Sequence, residues 1–448
     1  MARAGKIRIM VKDRMNLHKR RRVNVGEKTA YTQIIEPRSL DFSSERDIEF
    51  FISGNTSKLV DFQRSKLVIE FSLEKRNPAH EFQVNPNEKD AATNEMVTPI
   101  DGFFHTMWKS IKMKWNKEWV SSDDNDQAYR AYLDLLTNVG NEELDDARDN
   151  LLYTRNDGEE DVPNPFAAGN GGGMIRWNRT SGKRKIRLSG PLITDLWKTE
   201  KLLIGGVDIL IQLKPAFDKF RFQMSSSGDT LREQFVMKIQ TCYLKLMYVE
   251  LRDKALRAQE HSISRSPFSY PFVRTDIDIL QLRQGVLERR IPDIYAREIP
   301  SRLLVMMVKQ DAYTGDYRLN PFNFVHNNIT SASFHIDNMI IPAEPYTFED
   351  LENNERCLHD AVNALREYGG KKNLGINLEN FTKGKFILVF NTDPTVERDL
   401  RYWGMPKSGS TKLHLTFASA IDAEYDLILY ATFPGVVEID KDRVVTKK

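Results

Sequence analysis

Apolar and polar residues alternate with a period of two in several separate stretches of this chain. Ile111, Met113 and Trp115 alternate with Lys112 and Lys114. Val207, Ile209, Ile211 and Leu213 alternate with Asp208, Gln212 and Lys214, with Leu210 breaking the polar side. Leu413, Leu415 and Phe417 alternate with Lys412, His414 and Thr416. Successive side chains of a strand point to opposite faces, so these stretches predict half-buried antiparallel strands. Helical spacing is rarer. One helix is expected from about Asp126 to Val139, with Ala128, Tyr132, Leu135 and Leu136 on one face and a stop at Gly140. Another is expected from about Asn354 to Tyr368, with Leu358, Ala361, Val362 and Leu365 on one face and a stop at Gly369-Gly370.

The order of these elements repeats. In the first half a strand (Ser65 to Leu73) precedes an aromatic corner, PIDGFF (Pro99 to Phe104). A strand (Ile111 to Trp115), the first helix and further strands (Lys183 to Gly190, Gly205 to Ala216, Tyr243 to Leu251) follow. In the second half Ser301 to Lys309 precedes the corner NPFNF (Asn320 to Phe324). Ser333 to Ile341, the second helix, Lys385 to Phe390, Gly409 to Ala420 and Tyr425 to Phe433 follow in the same order. An equivalent corner in each half argues for architecture over catalysis. Pro321 fixes φ there, and Phe322 and Phe324 can plug the end of a sandwich. The fold expected is all-β: tandem (double) jelly-roll β-sandwiches with a few inserted helices and long loops. The divisions expected are a basic arm over 1–25, a first jelly roll over 26–252 and a second over 253–448. The linker is placed near Arg252 to Pro267, where the chain is charged and then Ser-rich. The polar stretches Asn85 to Glu95, Arg155 to Gly173 and Pro342 to Lys372 are long for mere connections and are expected to clasp neighbours or build an outer surface.

At 448 residues, with 40% apolar residues, each half can bury a core of its own. Two cysteines, Cys242 and Cys357, leave no room for a disulfide framework or a Cys-based zinc site, which suits a reducing compartment. The N-terminus has no signal-peptide pattern, so the sequons at Asn55, Asn178, Asn328 and Asn380 are read as chance. No run of 18 apolar residues is present, so no transmembrane segment is expected.

The charge is near balance overall, at +2, yet Met1 to Lys28 carries ten Lys and Arg against Asp13 and Glu27. That stretch holds +8, and the remainder holds −6. Its densest part is Lys19, Arg20, Arg21 and Arg22, which suits an interior, partner or DNA contact, a nuclear-import signal, or a solvated tail. Little aromatic interleaving accompanies it, so base stacking is not indicated.

Motifs for catalysis are missing. The eight histidines have no HxxxH or HExxH spacing, and no Walker A, GxSxG or strand-following GxGxxG sequence occurs. No catalytic, cofactor-binding or metal-ligating residue is assigned. Glu142, Glu143, Asp145 and Asp146 form an acidic cluster, but at a helix start acids serve the helix dipole. Paired acids beside Trp108, Trp115 and Trp119 would be the basis for an alternative reading, a carbohydrate-binding or carbohydrate-active tandem sandwich. Trp115 falls on an apolar face, which favours a core role.

DAYTGDYRLNPFNF (Asp311 to Phe324), the Asp393-Pro394 turn after KFILVF, and YATFPGVVEIDKDRVV (Tyr430 to Val445) resemble the major capsid proteins of Polinton/Maverick-type elements and adintoviruses. The resemblance is strongest over Tyr243 to Val445. It departs from the family pattern at FNTDPTVERDLRYWG. It implies a double jelly-roll capsid protein without catalytic residues. Such subunits form pseudo-hexameric homotrimers that tile an icosahedral shell around double-stranded DNA. Penton and minor capsid proteins, non-specific contact with packaged DNA, and assembly in a host cell, with the nucleus one candidate compartment, come with that expectation.

Overall fold

The computed structural model describes residues 27–39, 46–76, 82–83, 97–121, 125–156, 160–181, 185–224, 235–348, 355–370, 374–392 and 407–448. The principal strands of the first half are β1 (Glu27–Ile35), β2 (Ile48–Ile52), β3 (Lys58–Arg76), β4 (Trp108–Trp115), β5 (Glu118–Trp119), β6 (Ile186–Gly190), β7 (Ile209–Pro215) and β8 (Phe235–Leu251). Those of the second half are β9 (Phe268–Leu282), β10 (Glu288–Pro292), β11 (Arg302–Lys309), β12 (Ile329–Ile336), β13 (Met339–Thr347), β14 (Leu388–Asn391), β15 (Thr411–Phe417) and β16 (Tyr425–Ile439). The helices used below are α1 (Gln127–Asn138), α2 (Leu144–Leu151), α3 (Gly171–Thr180), α4 (Asp253–Ile263), α5 (Gln310–Thr314) and α6 (Glu355–Tyr368).

The first half pairs β1-β8-β3-β6 in one sheet and β2-β7-β4-β5 in the other. The second pairs β9-β16-β11-β14 and β10-β15-β12-β13. Adding eight to every label of the first half gives the second. All these pairings are antiparallel. First strand beside last, and second beside seventh, is jelly-roll order, so the protein is a double jelly roll.

Alternation sets the inward faces. In β7, Ile209, Ile211 and Leu213 are buried and Lys214 is exposed, while Leu210 sits half-buried on the outer side. In β15, Thr411, Leu413, Leu415 and Phe417 are buried. Two central strands do not alternate. Leu303 to Val308 in β11 and Tyr425 to Phe433 in β16 are buried throughout. Strands covered on both faces read as continuous apolar runs. Here one face meets the roll's own core and the other meets the first half. Arg130 and Lys198 from the first half line a cavity with Tyr430 and Thr432 from β16.

The structure corrects several local expectations. Ser333 to Ile341 is two strands, not one. β12 ends at Ile336, Asp337 takes φ 50°, and β13 starts at Met339. Apolar Met339 and Ile340 follow the turn in exposed positions, which hides it. The Asp337 carboxylate accepts the Ser410 N–H at 2.8 Å and holds the turn to the neighbouring loop. The charged linker after Arg252 is helical, as α4. The first half carries α2 and α3 as well as the expected helix, and the stretch from Pro342 opens within β13 before the expected second helix, α6. The stretch 85–95 and the Asp393-Pro394 turn lie outside the described residues. The sequence pattern does not predict strands β1, β2, β9 and β10. β1 is mostly exposed, and β9 carries Pro271 and acids, so neither has a clean apolar face.

Candidate functional site

In each roll the chain turns a corner between its third and fourth strands. The first corner, Pro99 to Phe104, folds into its own roll. Gly102 takes φ 63°, a left-handed conformation that glycine adopts freely. A Cβ there would lie 2.5 Å from Leu135 Cδ1. Phe103 and Phe104 are fully buried. Phe103 packs on Phe71 and Phe222, with centroids 5.2 and 5.5 Å away. The polar anchor is Asp101. Its carboxylate accepts the Thr154 N–H at 2.6 Å and the Gly102 N–H at 2.9 Å, and lies 3.4 Å from the Arg176 guanidinium on α3. Burial pushes the Asp101 carboxyl above its ordinary range, and Arg176 pulls it partly back. Arg176 Nε also donates to the Pro99 carbonyl at 2.8 Å, tying Pro99 and Asp101 to one side chain.

The second corner, Asn320 to Phe324, is packed from outside its roll. Pro321, Phe322 and Phe324 are buried. Phe322 stacks on Tyr132 of α1, with centroids 4.2 Å apart and planes 3° from parallel. Tyr129 and Phe220, also from the first half, meet it edge-on at 5.7 and 6.0 Å. The Phe324 N–H donates to Gly384 O at 3.0 Å, and Phe386 N–H donates back to Phe324 O at 3.1 Å, within its own roll. So the backbone of Phe324 is held by its own roll, while its ring, like that of Phe322, meets Tyr132 across the seam, at 6.0 Å.

The polar anchors of this corner also cross the seam. Asn320 N–H donates to Asp161 Oδ1 at 2.8 Å, Asn320 Nδ2 to Glu160 Oε2 at 2.9 Å, and Asn323 Nδ2 to Asp161 Oδ2 at 2.7 Å. Glu160 is buried and pairs with Lys385 Nζ at 2.7 Å. Lys385 also donates to the Tyr132 hydroxyl. Burial pushes the Asp161 carboxyl up, against the Asn320 N–H and Asn323 amide that stabilise its charge. Asn320 Oδ1 accepts the Phe322 N–H at 3.0 Å, which fixes the turn itself. Nearby, Tyr313 of α5 donates to Asp126 Oδ1 at 2.9 Å. At the far end of the seam, Arg443 Nε donates to Gly205 O at 2.9 Å and Asn116 Nδ2 donates to Arg443 O at 2.7 Å.

Lys19, Arg20, Arg21 and Arg22 lie outside the described residues. The acidic cluster stands at a helix start: Glu143 accepts the Gly140 N–H at 3.1 Å, and Asp145 and Asp146 lie in the first turn of α2. Trp108 and Trp115 are fully buried, and Trp115 stacks on Phe62 at 5.9 Å, so neither offers a sugar platform. Among the described residues, no group of three or more His, Cys, Asp or Glu is placed to hold a metal ion. Among the same residues, no helix is long and apolar enough to cross a membrane. His105 is buried, and burial holds its imidazole down at about 3, so it is neutral. Sequence reasoning missed Tyr129, Tyr132, Glu160, Asp161 and Lys385. The acid-rich loop was visible, but its partner lies 160 residues away and leaves no local signal.

No family model matches the sequence. An uncharacterized protein of Caenorhabditis elegans is 21% identical over 407 residues, covering 89% of this chain and 92% of that protein. Among solved structures, a chain of the Sputnik virophage is similar with a TM-score of 0.60 at 12% identity, over 97% of this chain and 91% of that one. The mavirus major capsid protein has a TM-score of 0.55 at 13% identity, over 97% and 92%. The Faustovirus major capsid protein has 0.54 at 8% identity, over 95% and 93%. The similarity runs nearly end to end and is one of fold.

Proposed function

We propose that this chain is a major capsid protein of the Polinton/Maverick and adintovirus kind. Its copies associate as pseudo-hexameric homotrimers, and the trimers tile an icosahedral shell around double-stranded DNA. The observation that carries this reading is the exact repetition of strand order, joined through a packed seam, over the whole length shared with viral capsid proteins. Two similar rolls per subunit and three subunits per capsomer give six near-equivalent corners, which lets one subunit fill a hexagonal outline. The seam supports the reading as well, since a shell tile must hold its two rolls in one orientation.

On this reading the chain divides into an arm (1–25), a first roll (26–252) and a second roll (253–448). Lys19, Arg20, Arg21 and Arg22 face the shell interior, where they meet packaged DNA or an internal partner. Penton and minor capsid proteins complete the particle, and the protein resides in the virion after assembly in a host cell. Its role is structural, with no chemical step to catalyse.

Light scattering on the purified chain tests this. A mass near three times 51.9 kDa, or larger bodies built from it, supports the trimer. Each interface of such a permanent trimer should bury more than about 2,000 Å². A clean monomer at micromolar concentration, whatever the salt, overturns it.

A further inference from the structure

Asn320, Lys385 and Glu160 meet where the second corner crosses the seam. Asn320 is 3% exposed, and the side chains of Lys385 and Glu160 are 12% and 4% exposed. The two oxygens of one carboxylate face two nitrogens. Glu160 Oε1 lies 2.7 Å from Lys385 Nζ, and Glu160 Oε2 accepts Asn320 Nδ2 at 2.9 Å. Oε2 also accepts Asn156 Nδ2 at 3.2 Å, and Nζ donates to the Tyr132 hydroxyl. The other side of the Asn320 amide is engaged as well, because its Oδ1 accepts the Phe322 N–H at 3.0 Å. Phe324 N–H donates to Gly384 O and Phe386 N–H to Phe324 O, so the corner runs alongside Lys385. The Tyr132 ring, with its centroid 5.1 Å from Nζ and Phe322 stacked on it, gives the cluster an apolar wall. An anchoring ion pair needs only the carboxylate and the ammonium. Here the second carboxylate oxygen holds a carboxamide whose carbonyl is already polarised by a backbone N–H.

We propose that Lys385 and Asn320 join in an isopeptide bond with Glu160 as the base, a self-made cross-link inside the second roll that a residue of the first roll catalyses. Nζ passes one proton to Oε1 along their hydrogen bond and becomes a neutral amine. Its lone pair attacks Asn320 Cγ, and the rotatable lysine stem supplies the reach. The Phe322 N–H that already binds Oδ1 stabilises the negative charge that develops there. Glu160 returns its proton to Nδ2 and takes the second proton from Nζ. The Cγ–Nδ2 bond then breaks, and the carbonyl reforms. Ammonia leaves and carries off the remaining proton as ammonium, which restores the Glu160 carboxylate. The sum is a lysine ammonium and a carboxamide going to a secondary amide and an ammonium ion, with no oxidant or further reactant.

An amine attacks a carboxamide slowly in water, because the partners must collide and water competes. Holding amine, base and amide in one buried cluster replaces the collision with a rotation, and burial keeps water out. Pro321 follows Asn320, so the backbone has no N–H there to close a cyclic imide. Loss of ammonia at Asn320 therefore requires a nucleophile from elsewhere. The amine and the amide belong to the second roll and the base to the first, so the bond forms only after the two rolls dock. It then fixes the corner that carries Phe322 to the segment leading into β14. The reaction occurs once per chain, turns over no substrate and needs no second copy, so the role of the subunit stays structural.

Peptide mapping by mass spectrometry of the folded, full-length protein tests this. Trypsin cuts after Arg318, Arg356, Lys383, Lys385 and Arg398. In the wild type, the peptide from Leu319 to Arg356 should appear joined to the one from Gly384 to Arg398, uncut at Lys385 and lighter than the two together by one ammonia. Followed over time from fresh synthesis, the joining should slow by about 100-fold or more in Glu160→Gln, the usual contribution of a general base. Lys385→Arg keeps the charge without the amine, and its Leu319 to Arg356 peptide should stay separate at full mass. Separate peptides from the folded wild type, cut after Lys385, overturn the proposal. Joining in Glu160→Gln at the wild-type rate overturns it as well. Should Glu160→Gln fail to fold, the wild-type map decides alone.

Discussion

The two corners occupy the same place in two copies of one fold, yet they do different work. Pro99 to Phe104 closes the end of its own roll: Phe103 packs on Phe71 of β3 and on Phe222, within the first half. Asn320 to Phe324 instead joins the rolls, with Phe322 stacked on Tyr132 of the other half. Their polar anchors are reversed in sign. The first corner supplies a carboxylate, Asp101, to a guanidinium. The second supplies amides to the carboxylates of Glu160 and Asp161. Both clamps come from the connection between β5 and β6, which carries Arg176 as well as Glu160 and Asp161. One inserted segment thus seals one roll and fastens the other to it. Duplication makes the corners; the insertion between β5 and β6 makes them unequal.

Removing an aromatic ring from each corner should separate these roles most clearly. Phe322→Ala and Phe103→Ala should each cost about 3–5 kcal/mol, the usual loss for a buried phenylalanine. The patterns should differ. Phe322→Ala should loosen the seam and separate calorimetric unfolding into two transitions, since it thins the apolar contact that joins the two rolls into one core. Phe103→Ala should lower the stability of the first roll and leave the Tyr132 contact to the second intact until that roll melts. Identical calorimetric profiles for the two variants would erase the distinction between the corners.

The ion pair at the second corner comes next. Glu160→Gln leaves the Lys385 ammonium buried without its anion and should cost about 3 kcal/mol in a thermal or chemical melt. Lys385→Met in the same chain should recover much of that, because a buried pair replaced whole is often nearly neutral. A double variant as unstable as the sum of the singles would mean that the pair is not coupled across the seam.

These expectations mark where the sequence is readable and where it is not. The strands β4, β7 and β15, the helices α1 and α6, and the doubled order follow from local periodicity, because each needs only its own residues to declare a buried face. β1 is missed because its residues are mostly exposed, so it has no face to declare. The hairpin at Asp337 is missed because apolar Met339 and Ile340 follow the turn in exposed positions. The corner at Phe322 is visible as Pro and Phe between strands. Its partners are not, since Tyr132 serves equally well as the apolar face of any helix, and Glu160 lies in a stretch whose composition reads as solvated. Long-range pairing selects these residues, and a local pattern carries no record of it.

The glycines give a smaller contrast and a finer one. Gly384 takes φ 102°, and a Cβ there would lie 2.5 Å from Glu160 Cγ and 2.8 Å from Asn323 Oδ1. Gly384→Ala should therefore cost about 1–3 kcal/mol, from backbone strain together with displacement of the Glu160 side chain. Gly102→Ala meets Leu135 Cδ1 at 2.5 Å, inside the first roll, and should cost a similar amount. Hydrogen exchange separates the two. Gly384→Ala should raise exchange on both sides of the seam, because the displaced Glu160 also holds Lys385 and Asn320. Gly102→Ala should raise it in the first roll alone. An exposed pair on α2 supplies the reference, since Asp145 meets Arg148 at 3.0 Å in open solvent, where removal should move stability by no more than about 0.5 kcal/mol. If Gly384→Ala perturbs no more than Asp145→Ala does, the Glu160 clamp is loose, and the second corner closes its own roll as the first one does.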